Sequence, residues 1–185
     1  MNYRIFGSGR PLVTIHPFAG RARPIAALLG ALRIDRADFF GESLGGIVAI
    51  KFALAHPERV DRVAVYGAAL SGFDDVAHSA SLAQLMSLAA GTTWSGFAPD
   101  ELRSVRIPVL LAAGDRDLLG PRLEHHLDAY RRLPNAKLAI VPGAGHFATA
   151  GDVALWSIVA GFFDAGRDLA VAESAGREPV SWAAC

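Results

Sequence analysis

Three kinds of residue fall in an order that could carry out acyl transfer: a serine, then two close aspartates, then a histidine. The serine is Ser43, within Asp38-Phe39-Phe40-Gly41-Glu42-Ser43-Leu44-Gly45-Gly46-Ile47-Val48-Ala49-Ile50. This stretch reads as an apolar strand, a glycine-flanked serine and an apolar helix. Gly41-x-Ser43-x-Gly45 is the pattern of a nucleophile held on a sharp strand-to-helix turn. Backbone at such a turn is strained. Side chains two positions either side of the serine would strike neighbouring backbone, so glycine suits both. The following helix aims unpaired N–H groups and its positive dipole end at the serine, where negative charge develops in acyl transfer. The bare pattern arises easily in a chain with 19 glycines. Its place between a strand and a helix is what gives it weight.

A serine hydroxyl is protonated at neutral pH and needs a base, and the base needs an orienting acid. Histidine suits the base because its ordinary pKa lies near neutrality. His146 stands in the loop Pro142-Gly143-Ala144-Gly145-His146-Phe147, and the aspartates stand in Gly114-Asp115-Arg116-Asp117. The order serine, aspartate, histidine is the one expected after a nucleophile elbow, giving Ser43, Asp117 and His146. Asp115 is the competing acid, with the capping of a turn as its other use. Ser43 itself has a plainer reading as a helix N-cap, and the flanking glycines and ordered partners favour the nucleophile.

These residues need elements to hold them. Pro11–His16 reads as a buried strand that breaks at Pro17-Phe18-Ala19-Gly20. Pro24 can open a helix carrying Ile25, Leu28, Leu29 and Leu32. Strands follow at 37–40, 62–66, 107–113 and 137–141, with helices through Ile47, Ile50 and Leu54, through Leu123, Leu127 and Tyr130, and from Asp152 through Phe163. Residues 68–101 are poorer in pattern and read as a lid-like insertion, with Met86, Trp94 and Phe97 as either acyl-pocket lining or plain packing. Glu42 faces either the pocket rim or solvent. His16 reads as structural, and His56, His125 and His126 as solvated. The apolar pattern fades from Gly166, which predicts one domain over 1–165 and a mobile tail over 166–185.

Strands alternating with helices argue an α/β fold: a mostly parallel sheet of about six strands, covered by helices on both faces. Ligands of such sheets bind beyond the carboxyl ends of the strands. That rule brings together the loops carrying His16, Ser43, Asp115 with Asp117, and His146.

Composition sets bounds. The 185 residues suit one domain, and 52% are hydrophobic, enough for a sizeable core. Eighteen basic and eighteen acidic residues cancel, so nucleic-acid binding has no electrostatic support. The single cysteine, Cys185, allows no internal disulfide, and zinc-type spacing is absent. No apolar run is long enough for a membrane span, and Met1–Phe6 lacks the pattern of a signal peptide, so a cytoplasmic location is the expectation.

The chain resembles the α/β-hydrolase superfamily, in its ester- and lactone-cleaving branch. The matching segments are Pro11–Gly20, Ile34–Arg62, Ile107–Asp117 and Pro142–His146, which with the intervening helices cover most of residues 3–163. The three motifs are specific for the fold and weakly specific for substrate. The resemblance implies Ser43 as nucleophile, Asp117 as triad acid by its register in the motif, and His146 as base. It places the oxyanion hole at the backbone N–H groups of Leu44 and Phe18, with His16 bracing the oxyanion loop. It implies an ester-like small-molecule substrate and needs no metal or organic cofactor.

The chain departs from that family in two places. Pro17 stands where the family usually has glycine, so the loop geometry is altered while the Phe18 donor is kept. Gly20 also runs almost directly into the helix at Pro24, so a strand–helix unit and the first strand of the usual sheet are missing. The expected order is therefore the Tyr3, Leu12, Phe39, Val63, Leu110 and Leu138 strands, the first two as a hairpin through Gly7-Ser8-Gly9-Arg10. Left unpaired, the Leu12 edge would invite a second copy of the chain, making a homo-oligomer. Two other readings compete: a shortened fold that binds without turnover, and a truncated hydrolase that folds poorly.

Overall fold

The computed structural model describes residues 6–16, 23–71 and 96–165. Five strands form one sheet: β1 (Leu12–Ile15), β2 (Ala37–Glu42), β3 (Val60–Tyr66), β4 (Val109–Gly114) and β5 (Ala136–Val141). All are parallel and lie side by side in chain order. The helices are α1 (Arg23–Ala31), α2 (Leu44–Ala55), α3 (Pro99–Ser104), α4 (Leu123–Arg132) and α5 (Val153–Asp164). The expected order of the last five strands holds. Of the Tyr3–Phe6 strand, only Phe6 lies within the described residues, where it is exposed and outside any strand. Most of the 68–101 insertion, with Met86 and Trp94, and the 166–185 tail also lie outside them.

Stepping strand by strand in one direction has a consequence. Right-handed crossovers that all advance the same way leave their helices on one face of the sheet. That face packs α1, α2, α3 and α4 against Phe39, Val63, Val65, Val109 and Leu111. The opposite face carries the alternate residues Phe40, Ala64, Tyr66, Leu110 and Ala112, covered by Leu155, Val159, Phe162 and Phe163 of α5. The alternation is the two-residue period of a strand buried on both sides. Residues 17–22, between β1 and α1, are too few for the strand–helix unit that the family carries there.

Helix α4 corrects one expectation. Its buried stripe runs through His126, Ala129 and Leu133, while Leu127 and Tyr130 are 37% and 40% exposed. The helix forms where Leu123, Leu127 and Tyr130 predicted it, but His126 is buried rather than solvated. Its Nδ1 sits 3.2 Å from the Arg122 carbonyl oxygen, and its Nε2 makes no hydrogen bond. Burial of the ring holds its pKa below the ordinary value, the Arg122 hydrogen bond opposing this less strongly.

Candidate active site

Ser43 sits between the last residue of β2 and the first of α2, with φ +51° and ψ −119°. Positive φ is costly for a residue with a Cβ and signals strain held by its surroundings. Those surroundings are tight. A methyl group at Gly41 would lie 2.4 Å from the Gly45 carbonyl oxygen, and one at Gly45 would lie 2.0 Å from the Ile15 carbonyl oxygen. The elbow is thus wedged against its own helix on one side and the end of β1 on the other. The Ser43 N–H donates to the Tyr66 carbonyl at 2.8 Å, closing the elbow onto β3.

The aspartates separate by role. The Asp117 side chain is 2% exposed and its Oδ2 lies 2.7 Å from His146 Nδ1. Asp117 Oδ1 accepts from the N–H groups of Gly120, 2.6 Å, and Leu119, 3.0 Å. Burial alone would raise its pKa. The hydrogen bonds from His146 and Gly120, the charge attraction of the imidazole and the Leu119 N–H together outweigh that and hold it below the usual carboxylate value. The ionised Asp117 fixes the tautomer with the proton on Nδ1, leaving Nε2 as the acceptor. Asp115 is exposed, and its Oδ1 accepts from Gly143 N–H at 2.6 Å, tying two loops together. The geometry therefore pairs Asp117, not Asp115, with the histidine.

Gly67 links the pair to the elbow. It follows Tyr66, whose carbonyl holds Ser43, and a methyl group on it would lie 3.2 Å from both Asp117 Oδ2 and His146 Nδ1. The three side chains thus share one rim at the carboxyl ends of β2, β4 and β5. Ser43 and His146 are not joined by a hydrogen bond, and such bonds are often long in ligand-free sites. Leu44 is the first residue of α2, where N–H groups lack intrahelical acceptors. Phe18, with Pro17, lies outside the described residues, and His16 is exposed at the end of β1.

The histidine loop is fastened by groups that sequence reading did not single out. Tyr66 is fully buried and its hydroxyl donates to the Gly145 carbonyl at 2.5 Å. Burial, then the charges of Asp117, Asp152, Glu42 and Asp115, push its pKa up to about 12, so it stays a donor. Glu42 is turned inward and accepts from Thr149 Oγ1 at 2.7 Å. Tyr66 carried one signal, its place at the end of a strand beside the elbow. Thr149 carried none. Asp152 caps α5 through the Leu155 N–H. Among the described residues, no group of three or more His, Cys, Asp or Glu could hold a metal ion, and no helix is long and apolar enough to cross a membrane.

No family model matches the chain. It is 26% identical over 186 residues to a protein of Caulobacter sp. (strain K31) named as the carbamate hydrolase RutD, covering 75% of this chain and 69% of that protein. The aligned stretch is longer than the share of this chain within it, so the relative carries residues that this chain lacks. Matches at 43% identity are confined to 65 and 51 residues, and span 16% and 18% of those relatives' lengths. Among solved structures, the meta-cleavage product hydrolase CumD of Pseudomonas fluorescens IP01 superposes with a TM-score of 0.69 at 18% identity, covering 85% of this chain and 92% of that one. Est816, described as an N-acyl homoserine lactone degrading enzyme, superposes with a TM-score of 0.67 at 20% identity, over 85% and 94%.

Proposed function

We propose that this chain, which has the α/β-hydrolase fold, is a serine hydrolase that cleaves a small carboxylic ester, lactone or thioester through an acyl-enzyme. The observation that carries the reading is the strained Ser43 elbow at the same sheet rim as the buried Asp117–His146 pair, 2.7 Å apart. His146 Nε2 takes the Ser43 proton as Oγ attacks the carbonyl carbon, and Asp117 steadies the imidazolium that forms. The Leu44 N–H, at the positive end of α2, serves the oxyanion, and the family resemblance implies the Phe18 N–H as the second donor. His146 then returns the proton to the leaving alcohol or thiol, and water repeats the sequence to free the acid. The carbamate- and lactone-directed names of the similar proteins support acyl-type substrates. No metal or organic cofactor enters this sequence.

The test is covalent labelling with a fluorophosphonate, read by intact mass. The expected result is one adduct on the folded protein, none on Ser43→Ala, and labelling slowed by about 10³-fold or more in Asp117→Asn, which upsets the histidine tautomer. An unlabelled native protein would remove the enzyme reading. A second reading, binding without turnover, draws on the shortness of the 17–22 connection, which leaves no room for a strand–helix unit between β1 and α1. It gains if the protein takes no adduct yet an ester-like ligand raises its melting temperature.

A further inference from the structure

Glu42 occupies the position between Gly41 and Ser43 and is the last residue of β2. It is 9% exposed, an unusual place for a carboxylate. Its Oε1 accepts from Thr149 Oγ1 at 2.7 Å. Thr149 lies three residues after His146, in the short 3-10 turn Ala148–Ala150. The carbonyl of Thr149 accepts in turn from Trp156 Nε1 at 3.1 Å. The Trp156 ring packs on Phe40 with centroids 5.1 Å apart, and Phe40 precedes Glu42 by two residues on the same face of β2. Two arms therefore run from the nucleophile strand to the turn behind the base, and both end on Thr149.

We propose that Glu42 and Thr149 form a positioning pair that sets where His146 stands relative to Ser43. This inference rests on the serine-hydrolase reading. Asp117 grips the imidazole only at Nδ1, so that bond orients the ring but leaves the Nε2–Ser43 gap to the loop that carries it. Among the described residues, Glu42–Thr149 is the side-chain hydrogen bond that spans from elbow to histidine loop. A carboxylate acceptor makes that bond short and directional. Burial raises the cost of breaking it, because Glu42 would then be left desolvated. The backbone of Glu42 is covalently joined to Ser43, so displacement at Thr149 is referred directly to the nucleophile. The nucleophile–base gap is where small misplacements reduce rate most steeply.

The pair is tested with Thr149→Val, which keeps the shape and removes the donor, and Thr149→Ser, which keeps the donor. The readouts are the fluorophosphonate labelling rate, kcat and KM for p-nitrophenyl acetate, and the melting temperature, all measured well below unfolding. Labelling and kcat should fall about tenfold or more in Thr149→Val with KM within twofold, and Thr149→Ser should restore both. Glu42→Gln combined with Thr149→Val should be no slower than Thr149→Val alone. Labelling of Thr149→Val at the native rate, with only a lower melting temperature, would reduce the pair to a structural tie and overturn the proposal. Equal slowing in Thr149→Ser, or additive losses in the double variant, would also overturn it. These outcomes leave native labelling intact, so they are distinct from failure of the serine-hydrolase reading, in which the native protein itself takes no label.

Discussion

The nucleophile elbow and the histidine loop meet at one rim but are built on opposite principles. The elbow is held by backbone pressed against backbone, with Gly41 and Gly45 leaving no space for even a methyl group. The histidine loop is held by side-chain hydrogen bonds from elsewhere in the fold: Tyr66 to Gly145, Asp115 to Gly143, Glu42 to Thr149 and Trp156 to Thr149. Steric wedging is all-or-none, since packed backbone cannot yield by small steps. A set of hydrogen bonds can be weakened one member at a time. The elbow should therefore fail abruptly and the loop by degrees.

The largest effect should come from the elbow. Gly45→Ala places a methyl 2.0 Å from the Ile15 carbonyl oxygen, so α2 or β1 must move. We expect a loss of about 3 kcal/mol or more in chemical denaturation, with fluorophosphonate labelling abolished. A variant that keeps native stability and labelling would show that the wedge is softer than the geometry implies.

In the loop, Tyr66→Phe strands the half-buried Gly145 carbonyl and should cost about 1–2 kcal/mol. Labelling should slow without being lost. If the rate is unchanged, Tyr66 supports the fold and not the base.

Acid should act first at helix α4. His126 has a folded pKa below its unfolded value of 6.5, so the folded state resists protonation. Its contribution is present above pH 6.5 and is lost as pH falls through the folded pKa. Asp117 is also depressed, so its contribution is present above the ordinary carboxylate pKa and is lost as pH falls through its folded value. Melting temperature should therefore decline from neutrality downward in two stages. His126→Leu should remove the upper stage and leave the lower. A flat profile between pH 7 and 5 in the native protein would contradict the buried, neutral imidazole.

The smallest effect is expected at Asp115. Its bond to Gly143 is exposed, so Asp115→Ala should cost about 1 kcal/mol and leave labelling within twofold of native. A collapse of labelling there would reopen the choice between Asp115 and Asp117.

How much was legible from residue types follows the same division. The strands and the elbow were readable because apolar runs, turn residues and glycine spacing act over a few positions, whereas the order of the last five strands came from the family resemblance. The choice of Asp117 over Asp115 needed the register of a family motif, since both aspartates follow the same strand. The burial of His126 was not legible, because Leu123, Leu127 and Tyr130 form the more apolar stripe, yet the helix turns His126 and Ala129 inward. Helix orientation there is set by what the rest of the sheet offers.

Sequence alone determined the local devices: a strained serine between two glycines, a histidine in a glycine-rich loop, and a run of strands and helices that must form a parallel sheet. Tertiary structure alone decided that Glu42 faces inward to Thr149 and that Tyr66 reaches across to Gly145. The reason is one of range. Steric exclusion between residues a few positions apart is written in their types and spacing. A hydrogen bond between Glu42 and Thr149, 107 positions apart, exists only once β2, the histidine loop and α5 have packed.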